Sequence, residues 1–566
     1  MALPLILRLG SQYCGKRIKT CRRKFSSVPL NPVSGLNVFD SFSKKKSPLL
    51  TKQPNVLTWY ICGPTVYDFA HIGHAWCYMN FDIMRRVMEQ YFNLNVIQVM
   101  NITDIDDKII QKAIDEKLDF KEVSSKYEMA FLNDLGSLSV QKPTVLTKVS
   151  DFIPQIISFI EALLHRELAY TTNDGSVYFN INAYEKKYKY GKLKPFQISM
   201  AESKNANNCN DFALWKAAKS DAEPSWAPSW GGKGRPGWHI ECSAMASISK
   251  TSYVFGPWVD VHSGGIDLLF PHHENEEAQC CAYHEIPQWV GHWIHSNLLR
   301  LSGGTKMSKS LKNTVSIKEF LQTYSADQFR MMCLISSYRN DIELTEASLR
   351  LAKDFLDVVR VFVTECRFFL RNNTVLQSSI NSKLLLTTLV ETESMVKSYL
   401  ADDFNTAQAT SAVRKLILLT RKEINNSNTV NRKATDHNPG IAAVASVLNF
   451  VSKYFSNLGL TSAVVTLQLL CNRPELIFFL TLQGDSVDTT ETDASSIIDN
   501  FVEFRSQVRQ CALDMKSNQQ GKDDSVDAVN TRKILLTACD RIRDDLKLKG
   551  IQLKDQEKTT TWTLMR

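Results

Sequence analysis

Two apolar runs flanking a helical stretch place the strongest constraint on this chain. "VLTWYICGPTVYD" begins at Val56 as a β-rich run and ends near the turn signal Gly63-Pro64. "HAWCYMNFDIMRRVMEQYF" carries apolar residues at helical spacing from Ala75 to Phe92, and "NLNVIQVMNITDIDD" reads as a second buried strand over Val96–Met100. Strand, helix and strand within about 45 residues make a βαβ unit. This predicts an α/β domain with a doubly wound parallel sheet, whose ligands sit at the carboxyl ends of the strands. Cys62, the His71–His74 segment and Thr103-Asp104 all fall at that edge.

The remaining chain is long enough for about three to five domains. From 145 to 236 the pattern turns irregular, with "KKYKYGKLKPFQ" and the Trp/Gly/Pro-rich "PSWAPSWGGKGRPGW", and reads as an insertion into the sheet domain. From about 345 onward apolar periodicity predicts helices, as in "EASLRLAKDFLDVVRVFVTECRFFL". Polar loops are expected at 425–440, 484–496 and 516–530. No apolar run approaches the roughly 20 residues a membrane span needs, so no membrane association is expected.

Charge is concentrated at one end. Residues 1–39 hold seven Lys or Arg and no acid, so the leader carries most of the formal +8. A polyanionic partner would then be held by local patches rather than by the global field. The acid-free, Arg/Lys-rich composition of residues 1–30, with Ser and an early "LPLIL", is that of a mitochondrial presequence, implying a matrix location. Thirteen cysteines at irregular spacing, with no CxxC, argue for reduced thiols and against a self-contained four-thiolate module. A metal site must be assembled from distant segments.

Histidines point to where. Seven of eleven lie between His239 and His295, and two more are His71 and His74, so this region is built for metal or phosphate chemistry. "FPHHENEEAQ", read as a helix, sets His272 beside Glu276 and His273 beside Glu277. Two ligands do not close a metal site. "FAHIGHA" sits at a strand-to-helix junction, where Gly73 allows close backbone approach and the helix start offers N–H groups to phosphate. There His71 and His74 could donate to oxygens gaining charge. "GGTKMSKSLKN", 303–313, is a Gly-rich loop whose Lys306 and Lys309, with Ser308 and Ser310, could close over a triphosphate.

His-Ile-Gly-His and Lys-Met-Ser-Lys-Ser, about 230 residues apart, together resemble the signatures of class I aminoacyl-tRNA synthetases. "YICGPTVYDFAHIGHA", "NITDIDDKII", "GWHIECSAM" and "VHSGGIDLLFPHHENEEAQ" resemble the cysteinyl members, and the leader their mitochondrial form. The likeness runs densely from about 55 to 345 and returns weakly in "DDLKLKGIQLKDQEKTTTW"; the long "ASISKTSYVFGPWVD" departs from it. The resemblance implies a Rossmann-type catalytic domain over 31–144 and 237–305, and a connective insertion over 145–236. It also implies a signature loop with stem contacts over 306–345, a helical bundle over 346–480 and an α-helical C-terminal tRNA-binding region, 481–566, reading the anticodon.

The same resemblance implies one zinc per chain, held by Cys62, Cys242, His272 and Glu276. Two thiolates, an imidazole and a carboxylate suit that ion. His273, Glu274 and Glu277 would then support the ligands or lie on the surface. The cysteine pocket would hold Gly63, Thr103, His272 and, as an apolar wall, Trp238. His71, Gly73, His74 and Lys309 would bind ATP as its magnesium complex, with His71, His74, Lys306 and Lys309 catalytic. The implied activity is ligation of L-cysteine to tRNA(Cys) through cysteinyl-adenylate, by a monomer. A side activity, cysteine persulfide formation with pyridoxal phosphate on Lys108 and Lys112, is implied too. Arg541, Arg543, Lys547 and Lys549 are expected to meet the anticodon end. Rival readings are a cysteine ligase of the mycothiol-synthesis type and a non-catalytic RNA-binding relative; the long helical extension and the intact histidines and lysines weigh against them.

Overall fold

The computed structural model describes residues 30–194, 210–220, 223–247, 255–301, 303, 305–306, 314–372, 380–427, 439–460 and scattered positions from 502 to 564. A hairpin of β1 (Asn31–Asp40) and β2 (Lys45–Thr51) leads into β3 (Val56–Ile61), α1 (Ile72–Phe92) and β4 (Asn95–Ile102). Helices α2 (Asp107–Glu116) and α3 (Phe120–Ser137) follow, then β5 (Val145–Lys148) and α4 (Ile153–His165). The next elements are β6 (Ala169–Thr171), β7 (Val177–Phe179), α5 (Ile181–Glu185), β8 (Phe212–Ala217) and β9 (Gly234–Pro236). The chain continues through α6 (Trp238–Ser247), β10 (Val259–Gly265), α7 (Glu274–His284) and β11 (Val290–Ser296). Short elements β12 (Leu299–Leu301), β13 (Thr305–Lys306), α8 (Ile317–Thr323), α9 (Ala326–Leu334) and β14 (Ile342–Leu344) precede four long helices. These are α10 (Glu346–Asn372), α11 (Ser382–Ala401), α12 (Thr406–Ser427) and α13 (Pro439–Asn457); β15 (Ile551–Gln556) and β16 (Thr559–Leu564) close the chain.

The central sheet is parallel, in the order β11-β10-β3-β4-β5. Strand order therefore reverses between β3 and β10, the switch point at which doubly wound sheets bind ligands. The expected βαβ unit is β3–α1–β4. Helix α1 stops where Asn93 turns left-handed at φ 53°, and apolar positions such as Ala75, Trp76, Met79, Ile83 and Val87 are buried along its length. Four-residue β5 pairs with β4, so it belongs to this sheet and not to the insertion expected from 145. "VLTK" is too short to show a period, and only its partner identifies it. The inserted strands β6–β9 form a separate antiparallel sheet.

One buried ion pair joins the first helix to the helical region. Arg330 on α9 reaches Asp82 on α1 at 2.5 Å, and its other guanidinium hydrogens bond the carbonyls of Leu138, Ser139 and Leu458. Asp82 also accepts from Arg86 at 2.8 Å and from the Gln141 backbone at 2.8 Å. Hairpin β1–β2 is tied in as well. Asp40 accepts from the Trp293 backbone at 2.9 Å, and Phe39 donates its N–H to Asp403 at 2.9 Å.

Residues 466–566 form a second compact unit. Within it buried Arg505 bonds both carboxylate oxygens of Asp555 at 2.7 and 3.1 Å and the Cys539 carbonyl at 2.9 Å. The unit ends in an antiparallel hairpin, β15–β16, where helix alone was expected. Its alternating Thr, Trp and Leu favour the extended chain.

Candidate functional site

Cys62 follows β3 at the switch point, and Cys242 lies in α6, buried with it. Their sulfurs are 3.8 Å apart; Cys62 Sγ lies 3.6 Å from His272 Nε2 and 3.5 Å from Glu276 Oε1. His272 and Glu276 meet at 2.9 Å. Tetrahedral zinc, with bonds of about 2.3 Å to sulfur and about 2.0–2.1 Å to nitrogen or oxygen, needs sulfur–sulfur edges of about 3.8 Å and sulfur–nitrogen or –oxygen edges of about 3.5 Å. The two thiols and their partners fit. All four donor atoms lie within 4.8 Å of one another and are buried. The set shares Cys62 and Glu276 with a second group able to hold a metal, completed by His262 and His273.

The electrostatics are those of a charged nest out of water. Burial pushes the Cys62 thiol well up, while the hydrogen bond from that thiol holds Cys242 down. Burial opposes charge on Glu276, yet His262 and His272 hold its carboxyl at about 2. Burial likewise opposes charge on His272, and the Glu276 carboxylate with the Cys242 sulfur overcomes it, to about 10. Supporting residues orient the ligands: His262 Nε2 meets Glu276 Oε2 at 2.9 Å, and His239 Nδ1 meets His272 Nδ1 at 2.9 Å. His273 meets His295 at 2.7 Å, and His295 meets the Ser41 hydroxyl at 2.8 Å. The histidine concentration marked this region in the sequence, but nothing in the spacing assigned His239, His262 or His295 a partner.

The stretch 269–273 is not α-helical: it is a wide turn broken at Phe270, and α7 starts only at Glu274. The His272–Glu276 pair forms; the expected His273–Glu277 pair does not, because His273 turns to His295. Glu277 instead accepts from the Trp289 backbone at 3.1 Å, and Glu274 accepts from the backbones of Gly191 and Leu193 at 2.7 and 2.6 Å. Both carboxylates are buried, anchoring loops to α7.

Gly63 and Thr103 are zipped together at the ends of β3 and β4. Gly63 donates to Asn101 Oδ1 at 2.8 Å, and Thr103 donates its N–H to the Pro64 carbonyl at 3.1 Å. A Cβ on Gly63 would lie 1.6 Å from the Asn101 carbonyl oxygen, so only glycine fits. Trp238 stands with its ring 4.3 Å from that of His272 and remains 40% exposed, a wall open to solvent on one side.

His71 caps α1: its Nδ1 accepts from Gly73 N at 3.1 Å, and His74 Nδ1 accepts from His71 N at 3.3 Å. With both Nδ1 atoms accepting, each neutral ring carries its proton on Nε2. The rings stack at 3.9 Å. The chain downstream of the signature loop returns beside them, Ile72 N bonding the Val315 carbonyl at 3.0 Å and Ile317 N the Ala70 carbonyl at 3.3 Å. Lys306 lies in β13, paired with Arg300. Ser308, Lys309 and Ser310 lie outside the described residues. Lys108 stands over the Tyr67 ring at 5.2 Å, and Lys112 pairs with Glu116 at 3.1 Å. In the second unit Arg543 pairs with Asp540 at 3.1 Å; Lys547 is described, whereas Arg541 and Lys549 lie outside the described residues.

Comparison with known proteins agrees with this geometry. The family model for the class I (C) tRNA synthetase catalytic domain matches residues 49–354. A probable mitochondrial cysteine–tRNA ligase of Xenopus tropicalis is 37% identical over 94% of this chain and 90% of its own. The cysteine–tRNA ligase of Staphylothermus marinus is 34% identical over 93% and 99%. Among solved structures, the Mycobacterium tuberculosis methionyl-tRNA synthetase in complex with methionyl-adenylate superposes with a TM-score of 0.58 at 13% identity, covering 76% of this chain and 96% of that one, and so shares the fold. The switch-point site on a doubly wound sheet and these matches define a class I aminoacyl-tRNA synthetase. Within that class the chain belongs to the cysteine–tRNA ligases. No helix among the described residues is long and apolar enough to cross a membrane.

Proposed function

We propose that this enzyme activates L-cysteine with ATP and transfers it to tRNA(Cys), in the mitochondrial matrix, with cysteine chosen through zinc held by Cys62, Cys242, His272 and Glu276. The convergence of those four donors at the switch point carries the reading. Zinc there would supply a soft Lewis acid that binds the substrate's thiolate, which serine and alanine cannot match. A pocket that relied on shape alone would separate such small side chains by only about 1–3 kcal/mol.

This chain's residues do the rest. Gly63 and Thr103 form the floor of the amino-acid pocket, and Trp238 walls it. The amino acid's carboxylate oxygen attacks the α-phosphorus of ATP, forming the adenylate as the bond to pyrophosphate breaks. His71 and His74 turn Nε2–H donors toward phosphate oxygens, and Gly73 lets the phosphates approach the start of α1. Lys306 and Lys309 neutralise the departing pyrophosphate, alongside the magnesium that accompanies ATP. A hydroxyl of the tRNA's terminal ribose then attacks the acyl carbon, and AMP leaves. No side chain need act as a strong base; positioning and charge stabilisation suffice.

The matrix assignment rests on the acid-free leader and on relatives named as mitochondrial. The helical region and the second unit are proposed to hold the tRNA body and anticodon. ATP–pyrophosphate exchange with each of the twenty amino acids tests the reading: only cysteine should support rapid exchange. Equal rates with serine would sink the zinc-selection proposal.

A further inference from the structure

Tyr60 stands two residues before the ligand Cys62 on β3, and residues two apart in a strand share a face. It is fully buried, edge-on to His262 at 5.0 Å, in the same apolar cluster as Cys62 and Cys242. Its hydroxyl makes no hydrogen bond of ordinary geometry; the group it engages is the Cys242 sulfur. An orphaned buried hydroxyl costs about 1–3 kcal/mol, so a ring needed only for packing would be better as phenylalanine.

We propose that the Tyr60 hydroxyl donates to the Cys242 sulfur and sets how much charge that ligand passes to the metal, making Tyr60 a positioning residue for thiol selection. The inference rests on the zinc role proposed above. Two thiolates and a carboxylate carry three negative charges against two positive ones on zinc. A substrate thiolate adds one more. Donors beside the ligands drain that excess: His262 does so at Glu276 Oε2, and Tyr60 does so at Cys242. Without its donor, Cys242 becomes a stronger electron donor, and the metal's appetite for another sulfur falls.

The test is Tyr60→Phe in the full chain, which keeps the ring and removes one oxygen. With cobalt(II) in place of zinc, the sulfur-to-metal charge-transfer band should move to lower energy. In pyrophosphate exchange, KM for cysteine should rise about tenfold, as expected for loss of a hydrogen bond to a charged group, while kcat changes less than about twofold. Should either the band or KM stay at the wild-type value, the hydroxyl merely fills the core. Loss of cobalt from the variant would overturn the inference too, because a tuning hydrogen bond does not decide occupancy of a four-ligand site. Failure of the wild-type enzyme to exchange with cysteine would instead overturn the function on which the inference rests.

Discussion

Glu276 divides its two oxygens between tasks: Oε1 faces Cys62 and His272, and Oε2 is held by His262. Glu276→Gln should therefore disturb selection more than folding, since two thiolates and His272 remain to hold zinc. Zinc per chain should stay above half, while the preference for cysteine over serine in pyrophosphate exchange shrinks about tenfold or more, in the range of a lost charged contact. An unchanged preference in a zinc-loaded variant would show that the carboxylate plays no part in selection. Gly63 gives a harsher test. Its missing Cβ would sit 1.6 Å from a backbone oxygen that no rotamer can move. Gly63→Ala should cost about 1–3 kcal/mol in urea unfolding, as overpacking does, and should displace the pocket floor enough to abolish cysteine activation.

At the scale of elements, the pair formed by Asp82 and Arg330 binds α1, whose first turn carries the two signature histidines, to α9 and to the end of α13. Removing one partner leaves the other charged and dry. Arg330→Ala should lower stability by about 3–5 kcal/mol, whereas replacing both residues with apolar side chains should recover much of that loss; equilibrium denaturation of the single and double variants decides it. None of this was legible beforehand, because an Arg and an Asp 248 positions apart look like surface charge until the fold joins them. The β3–α1–β4 unit was legible, since its periods switch cleanly from strand to helix and back. Ligand positions were readable only from motifs quoted whole: Cys62 and Cys242 carry no spacing signal across 180 residues. The short β5, the inserted sheet and the C-terminal hairpin escaped notice because three- to six-residue strands give periodicity too little length.

For the molecule as a whole, buried neutral histidines set a prediction about acid. Burial, helped by Arg166, holds His284 at about 4, and burial with His262 holds His295 at about 3. Unfolded, each titrates near 6.5. Between those values the unfolded chain takes up protons that the folded chain refuses, so stability falls as pH drops below about 6.5, by about 1.4 kcal/mol per unit per group. Urea unfolding at pH 5.5 should give a free energy about 2–3 kcal/mol below that at pH 7.5 from these two, and His284→Gln should halve the difference. The start of the folded chain makes another prediction. Leu36 and Val38 of β1 are fully buried. A chain starting at Asn31 should match full length in melting temperature and aminoacylation. One starting at Val33 cuts inside a strand, losing the pairs to Thr51 and Leu50, and one starting at Phe42 should be insoluble. Equal solubility of all three would contradict this account of β1.

The same strand bears on how the molecule is made. Phe39 is held by Asp403, a partner 364 positions downstream. A ribosome releases the amino end first, so β1 is among the earliest segments to emerge and among the last to find its final neighbour. Until α11 and the turn after it have been synthesised, the amino-terminal edge has no fixed place, and Leu36 and Val38 remain open to solvent and to chaperones. Locking of the newly made chain is therefore a late, long-range event that closes the molecule from both ends at once.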